Sequence, residues 1–148
     1  MNKPIKYGLL TALVLIVYFL LMKLAGQESN FALRFLNFFI IIGGCYFLLR
    51  NMYSGPDADS SYFNGLISGV VLTVTAVITF TAFMAVYVLL IDPSFMSVLE
   101  NSQIWGSHLE LEQAAFAIII EGIASGVVIS FALMQHFKRF IDNGIKRA

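Results

Sequence analysis

Long apolar runs dominate this sequence and leave few folds open to it. A transmembrane helix needs about 20 mostly apolar residues to cross a hydrocarbon core roughly 30 Å thick. Four segments meet that requirement, at about residues 7–25, 31–49, 63–91 and 113–135. Only 12% of the residues are charged, against about 25% in an average soluble domain. The sequence therefore predicts one all-α membrane domain, residues 1–148, with four transmembrane helices.

Composition also narrows the classes of function. The formal net charge is zero, so no global field would attract nucleic acid. The single cysteine, Cys45, cannot form an internal disulfide or a multi-cysteine metal site. No motif resembles a nucleophile with its base, a phosphate loop or a dinucleotide fingerprint. We expect a non-enzymatic protein without a metal or cofactor, and an enzyme would need a cluster of polar groups at the cytoplasmic mouth.

The basic residues predict the orientation, because Lys and Arg accumulate on the cytoplasmic side of a membrane. With four spans, both termini lie on the same side. That side would carry seven basic residues, and the opposite side only Lys23 and Arg34. The seven are Lys3, Lys6, Arg50, Lys138, Arg139, Lys146 and Arg147. The prediction is N-in and C-in, in the inner membrane of a bacterium.

The connection between the third and fourth spans carries signals of a short interfacial helix. Asp92 and Pro93 suit the N-cap and first position of a helix, and Phe95, Met96 and Leu99 would then share one face. We expect that helix to lie along the exported surface of the membrane.

Small residues on the third and fourth spans predict how the helices associate. Helix pairing in lipid relies on close packing at small residues and on interhelical hydrogen bonds. The predicted packing residues are Gly65, Gly69 and Thr73 on the third span and Gly122, Gly126 and Ser130 on the fourth. We interpret them as packing within the bundle, while a homo-oligomer interface remains the alternative.

Glu121 is the one acid far from the ends of its span, about 10 Å from the outer boundary at 1.5 Å per residue. The helical neighbours on its face are small, which suits contact with another helix. These neighbours are Ala114, Ala117, Ala124, Ser125 and Val128. We therefore expect the Glu121 side chain to point into the bundle.

Other polar residues fall near the same predicted depth and complete a candidate cluster. Asn37 and Tyr18 lie at that depth on the second and first spans, Tyr87 lies somewhat shallower on the third, and Arg34 lies one turn outward of Asn37. Arg34 could pair with Glu121 while Asn37 donates to the same carboxylate. A structural hydrogen-bonding role is one reading of this cluster. A proton carrier, or an anion or lipid-headgroup site, is the other.

Short motifs at the span ends resemble a known family. Lys6-Tyr7-Gly8-Leu9 opens the first span, Tyr62-Phe63-x-Gly65 opens the third, Ile91-Asp92-Pro93-Ser94-Phe95 closes it, and a basic tail follows. This pattern resembles the bacterial inner-membrane family catalogued as domain of unknown function 4199, over nearly the whole chain. The resemblance implies four helices and supplies no catalytic residues.

Together these features predict an accessory or assembly subunit of a larger envelope complex, embedded in lipid and contacting other membrane proteins. The alternative is a small transport component that handles protons or anionic lipid-linked molecules through Glu121, Arg34 and Asn37.

Overall fold

Four long helices make up the regular structure of the described residues. The computed structural model describes residues 3–26, 31–54, 61–91, 93 and 111–145, with the backbone alone for residues 31–34, 111 and 139–145. The helices are α1 (Lys3–Leu24), α2 (Phe31–Tyr53), α3 (Tyr62–Leu90) and α4 (Leu111–Ile145). Each is long and apolar enough to cross a membrane. The all-α, four-helix prediction is confirmed, whereas the proposed interfacial helix lies outside the described residues.

The ends of the first and third helices follow from local backbone chemistry. After α1, Gly26 takes a left-handed conformation with φ of 63°, and its N–H donates to the carbonyl of Lys23 at 2.9 Å. Glycine adopts this conformation without a steric penalty, so it ends helices readily. At the same end of the bundle, the Ile91 N–H donates to the Tyr87 carbonyl, and Pro93 disfavours further helix just beyond it.

The four helices form a bundle in which their order around the perimeter is α1, α3, α4 and α2. The most extensive contacts join α3 to α4 and α1 to α3, and smaller ones join α2 to each of the other helices. α1 and α4 therefore lie diagonally across the bundle. With 35 residues, α4 is about 52 Å long at 1.5 Å per residue, so it extends well past a 30 Å hydrocarbon core.

The core of the bundle consists of three apolar clusters along its length. All four helices contribute to the central cluster, which contains Leu15, Ile41, Cys45, Leu48, Leu72 and Ile129. One end is filled by Leu49, Met134 and Phe137, and the other by Met84, Val88 and Ala114. Nearly all the side chains of these three clusters lie between helices. The outer faces of the helices are therefore available to contact lipid or other proteins.

Glycines allow α3 and α4 to approach closely. A Cβ atom added to Gly69 would lie 2.5 Å from Ser130 Oγ, and one added to Gly126 would overlap Thr73. Gly122 faces Val77 in the same way. Side chains of one helix thus fill the space left by the missing side chains of the other, which is the close packing on which helix association in lipid depends.

Candidate functional site

Glu121 lies on the outer surface of α4. Its side chain is exposed, whereas Gly126, Ile129 and Ser130 on the same helix are buried. No hydrogen bond or ion pair joins Glu121 to another described residue. The prediction that this carboxyl group points into the bundle is therefore wrong for the single chain.

The reason lies in which of two small faces of α4 packs on α3. Gly122 and Gly126 lie against α3, and successive residues of an α-helix are about 100° apart at 3.6 residues per turn. Once Gly122 faces α3, the neighbouring Glu121 is turned away from that contact. The side of α4 that carries Glu121, here called the Glu121 face, consists of Ala117, Glu121, Ala124, Ser125 and Val128. Each of these residues is exposed or half-buried, whereas Ala114, two turns earlier on the same side of the helix, is buried against α3.

Glu121 also lies well inside the apolar length of its helix. The apolar stretch of α4 runs from Glu112 to Lys138, which places Glu121 about 14 Å from one end and 26 Å from the other at 1.5 Å per residue. Gly122 faces Val77, near the middle of α3. A long side chain can extend toward the headgroups, but a glutamate at this depth cannot reach them. The carboxyl group therefore lies at a level where lipid would surround it.

An ionisable side chain at such a level is costly when it faces hydrocarbon, by about 2.5–3.5 kcal/mol on insertion scales. Both the charged and the neutral carboxyl group need hydrogen-bond partners. Lipid tails supply none. The geometry of Glu121 thus calls for a polar group beyond those of the described side chains.

Tyr87 lies away from Glu121, in an aromatic cluster between α1 and α3. Val77 is level with Gly122, so Tyr87 lies about 15 Å farther along α3 at 1.5 Å per residue. Its ring meets Phe19 edge to face at 5.3 Å, and Lys23 Nζ lies over it, 4.6 Å from the centroid. Tyr87 therefore binds a lysine of its own chain and takes no part in a cluster with the acid.

The other predicted members of the polar cluster are also separated from Glu121. Tyr18 is half-buried on α1, diagonally across the bundle from α4. Asn37 is half-buried on α2, and no hydrogen bond joins it to Glu121. Arg34 lies in the first turn of α2, and its side chain is outside the described set. The described side chains of the predicted cluster are thus not brought together around the acid.

The six predicted packing residues do lie between α3 and α4. Gly69 faces Ser130, Gly126 faces Thr73, and Gly65 faces Met134 together with Tyr53 of α2. Gly122 lies one turn before Gly126 on the same side of α4, against Val77. These residues are used within the chain, so they are not available as a surface for a second copy.

A buried layer of small polar side chains, one from each helix, contains the predicted packing residues Thr73 and Ser130 together with two residues outside that predicted set. Its members are Thr11, Cys45, Thr73 and Ser130, all at most 4% exposed. The Cys45 thiol lies 3.7 Å from Thr73 Oγ1 and 3.9 Å from the Gly69 carbonyl. Thr11 and Thr73 donate to carbonyls one turn earlier on their own helices. A sequence signal existed, since at least one small polar residue lies in the central part of each span.

This layer has the character of a helix-packing element. Small polar side chains form most of their hydrogen bonds with the backbone, and their small size lets the helices approach each other, as is typical of membrane bundles. In the described part of the chain, no atom lies in hydrogen-bonding geometry to the buried Ser130 Oγ. The Cys45 thiol lies nearby. Among the described residues, no group of three or more His, Cys, Asp or Glu side chains could hold a metal ion. Glu121 is therefore the more informative candidate for function.

Comparison with known proteins adds no relative to these observations. No family model, no curated protein and no solved structure matches the chain. The resemblance of its short motifs to the family of unknown function 4199 stays a prediction.

Proposed function

We propose that this chain is a non-enzymatic integral inner-membrane protein that serves as an accessory or assembly subunit of a larger envelope complex. The observation that carries the proposal is the position of Glu121, exposed on the surface of α4 within the apolar part of the helix. A protein that functioned alone in lipid would retain a costly polar group on its outer face with no partner among the described side chains. A subunit meets a neighbour there, and the neighbour supplies the missing hydrogen bonds.

The distribution of burial over the helices supports the same proposal. Among the 18 most apolar consecutive residues of each helix, 39% are buried in α3 but only 17% in α4. α3 is thus the centre of the bundle, and α4 presents most of its surface outward. The helix with the polar intramembrane group is also the one with the most surface to offer a neighbour.

The membrane and the orientation belong to this proposal. The chain lies in a bacterial inner membrane with both termini in the cytoplasm, supported by seven basic residues on the terminal side against two on the other. A short interfacial helix after Asp92 lies on the exported side.

Purification from native membranes tests the proposal. The chain carries an affinity tag, is expressed at its natural level and is extracted in a mild detergent, after which its companions are identified and quantified. The expected result is one or a few membrane proteins in stoichiometric amounts, absent when an unrelated tagged four-span protein is purified in parallel. A lone, monodisperse protein would contradict the proposal.

A conservative variant separates this function from transport, the second function considered for Glu121. Glu121→Gln keeps the size and hydrogen-bonding capacity of the side chain but cannot carry a proton. For an assembly subunit, we expect this variant to accumulate and retain a large share of its companions. A proton-coupled activity that disappeared in this variant, with the complex intact, would favour the transport component.

A further inference from the structure

The Glu121 face has two properties that together describe what would bind it. Its small side chains Ala117, Ala124 and Ser125 permit the backbone of a second helix to come close. Its centre is a carboxyl group, exposed at a level where the surrounding medium offers no hydrogen-bond donors. A transmembrane helix that carries a donor at the matching depth satisfies both properties.

On one side, the face is bordered by large apolar side chains that lie against the surrounding medium. Phe116, Ile120, Val127 and Phe131 are between 46% and 67% exposed. A helix seated over Ala117, Ala124 and Val128 would lie beside these side chains and exclude lipid from the carboxyl group. Exclusion of lipid and water strengthens a charged hydrogen bond, since the local dielectric constant is low.

A second copy of this chain carries basic residues only near the ends of its spans, and Arg34 is the one counted nearest to the level of Glu121. In the sequence, no Lys or Arg occurs between Arg50 and Lys138, so α3 and most of α4 have none. On α1 and α2, the basic residues lie near the helix ends. A symmetric pair of α4 helices would place one Glu121 beside the other, and two like groups in low dielectric disfavour each other.

We propose that the Glu121 face binds a transmembrane helix of a different protein, which places a lysine or arginine side chain opposite Glu121. The inference rests on the proposed function and names the chemistry of the partner. Charge-assisted hydrogen bonds to a carboxylate are about twice as strong as neutral ones. A basic side chain within a membrane span is itself costly without a counterion, so each protein supplies what the other lacks.

Photocrosslinking in native membranes tests the proposed contact. A crosslinking amino acid is placed in the full-length chain at Ala117, Ala124 or Val128, and at Leu10 or Leu13 on the exposed side of α1 as a comparison. We expect the α4 positions to give adducts with one other membrane protein, mapped to a span with a Lys or Arg, and the α1 positions to give none with that protein. Differently sized tags on two versions of the chain reveal any adduct with a second copy.

Substitutions at Glu121 then test the role of the carboxyl group. Glu121→Leu should lower the crosslink yield from Ala124 about tenfold, the equivalent of one interhelical hydrogen bond of about 1.4 kcal/mol. Because leucine suits lipid better than glutamate, this variant should insert and accumulate normally. Glu112→Gln, at the exposed start of α4, is the matched control and should leave the yield unchanged. Exchange of the charges, with Glu121→Lys here and glutamate for the mapped basic residue, should restore it.

Several results would overturn the inference. They are adducts with a second copy, adducts equally strong from α1, a mapped span without a basic residue, and a yield unaffected by Glu121→Leu. If stoichiometric companions still co-purify in these cases, the proposed function stands and only the inference fails. If no companion co-purifies and no adduct forms, both fail.

Discussion

Gly126 and Thr73 face each other so closely that neither position can accept a larger side chain. A Cβ atom at Gly126 would overlap the Thr73 side chain, and the buried Thr73 hydroxyl donates to the carbonyl of Gly69. Gly43 on α2 offers the opposite case, because a Cβ atom there would meet nothing within 4 Å. The two glycines therefore separate a packing effect from the general effect of alanine in a helix.

Gly126→Ala should destabilise the bundle by about 1–3 kcal/mol, the usual cost of an overpacked core. Gly43→Ala should be neutral or slightly stabilising, because alanine favours helix over glycine. The measurement is the free energy of unfolding of both variants in detergent or bicelles. Equal stabilities for the two variants would contradict the close contact between α3 and α4.

Cys45 provides a probe for these measurements, because it is the single cysteine of the chain and is fully buried. A buried thiol reacts only when the surrounding structure opens. We predict that a membrane-permeant maleimide labels it slowly in the folded protein and rapidly after denaturation in SDS. Gly126→Ala should raise the labelling rate in the folded state, and Gly43→Ala should not. Rapid labelling of the native chain would show that the polar layer is open.

At the scale of the single helix, the aromatic cluster between α1 and α3 is built around Phe19. Its ring meets Phe80 at 6.5 Å, Phe83 at 6.4 Å and Tyr87 at 5.3 Å, each edge to face. Edge-to-face pairs contribute about 0.5–1.5 kcal/mol each beyond the area they bury. The cluster packs α3 against α1, whereas the glycine contacts pack α3 against α4, so the cluster stabilises a different side of α3.

Phe19→Ala should therefore lower the free energy of unfolding by about 1–3 kcal/mol, through loss of these ring contacts. Phe116→Ala is the matched control, since Phe116 on α4 is 67% exposed and loses few contacts within the chain. Both variants are compared with the parent by unfolding in the same detergent. A loss as large for Phe116 as for Phe19 would contradict the assigned packing.

Hydropathy was sufficient to predict four helices, because crossing lipid demands length and apolar composition and little else. It could not predict the rotation of α4 about its axis. That helix has two small faces, one with Gly122 and Gly126 and one with Ala117 and Ala124. Either could have packed on α3, and which one does decides where Glu121 points. The contact depends on complementary side chains such as Val77 and Thr73 on α3, which a single helix does not reveal.

The predicted polar cluster shows the same limit between helices. Depth can be counted along each span, but the order of helices around the bundle cannot be read from hydropathy. Because α1 lies diagonally across from α4, Tyr18 is remote from Glu121 whatever its depth. Counting along the spans predicts that Tyr87 is only somewhat shallower than Glu121, yet Val77 rather than Tyr87 is level with Gly122. Residues that share a depth thus need not share a site.

For the whole molecule, the four-span fold requires both termini to lie on one side of the membrane. The basic residues bias that side toward the cytoplasm, and the stretch from Asp92 to Glu112, which has no Lys or Arg, belongs on the other. Glu121 is nine residues beyond Glu112 in the sequence, so in the proposed orientation its proposed polar contact would lie in the half of the membrane nearer the exported side. The orientation thus decides which leaflet holds the proposed partner contact.

Reporter fusions test this orientation together with the proposed location of the contact. Green fluorescent protein fused to either terminus should fluoresce, and alkaline phosphatase fused there should be inactive, whereas the phosphatase should be active when fused after residue 100. The reason is that the phosphatase requires the oxidising periplasm for its disulfides.

Single cysteines introduced at Glu112 and Lys138 in a Cys45→Ala background provide an independent measurement, because an impermeant maleimide added to intact cells should label only the first. Termini that respond from opposite compartments would exclude a four-span fold. Labelling from outside at position 138 would reverse the orientation and move the Glu121 contact to the cytoplasmic half of the membrane.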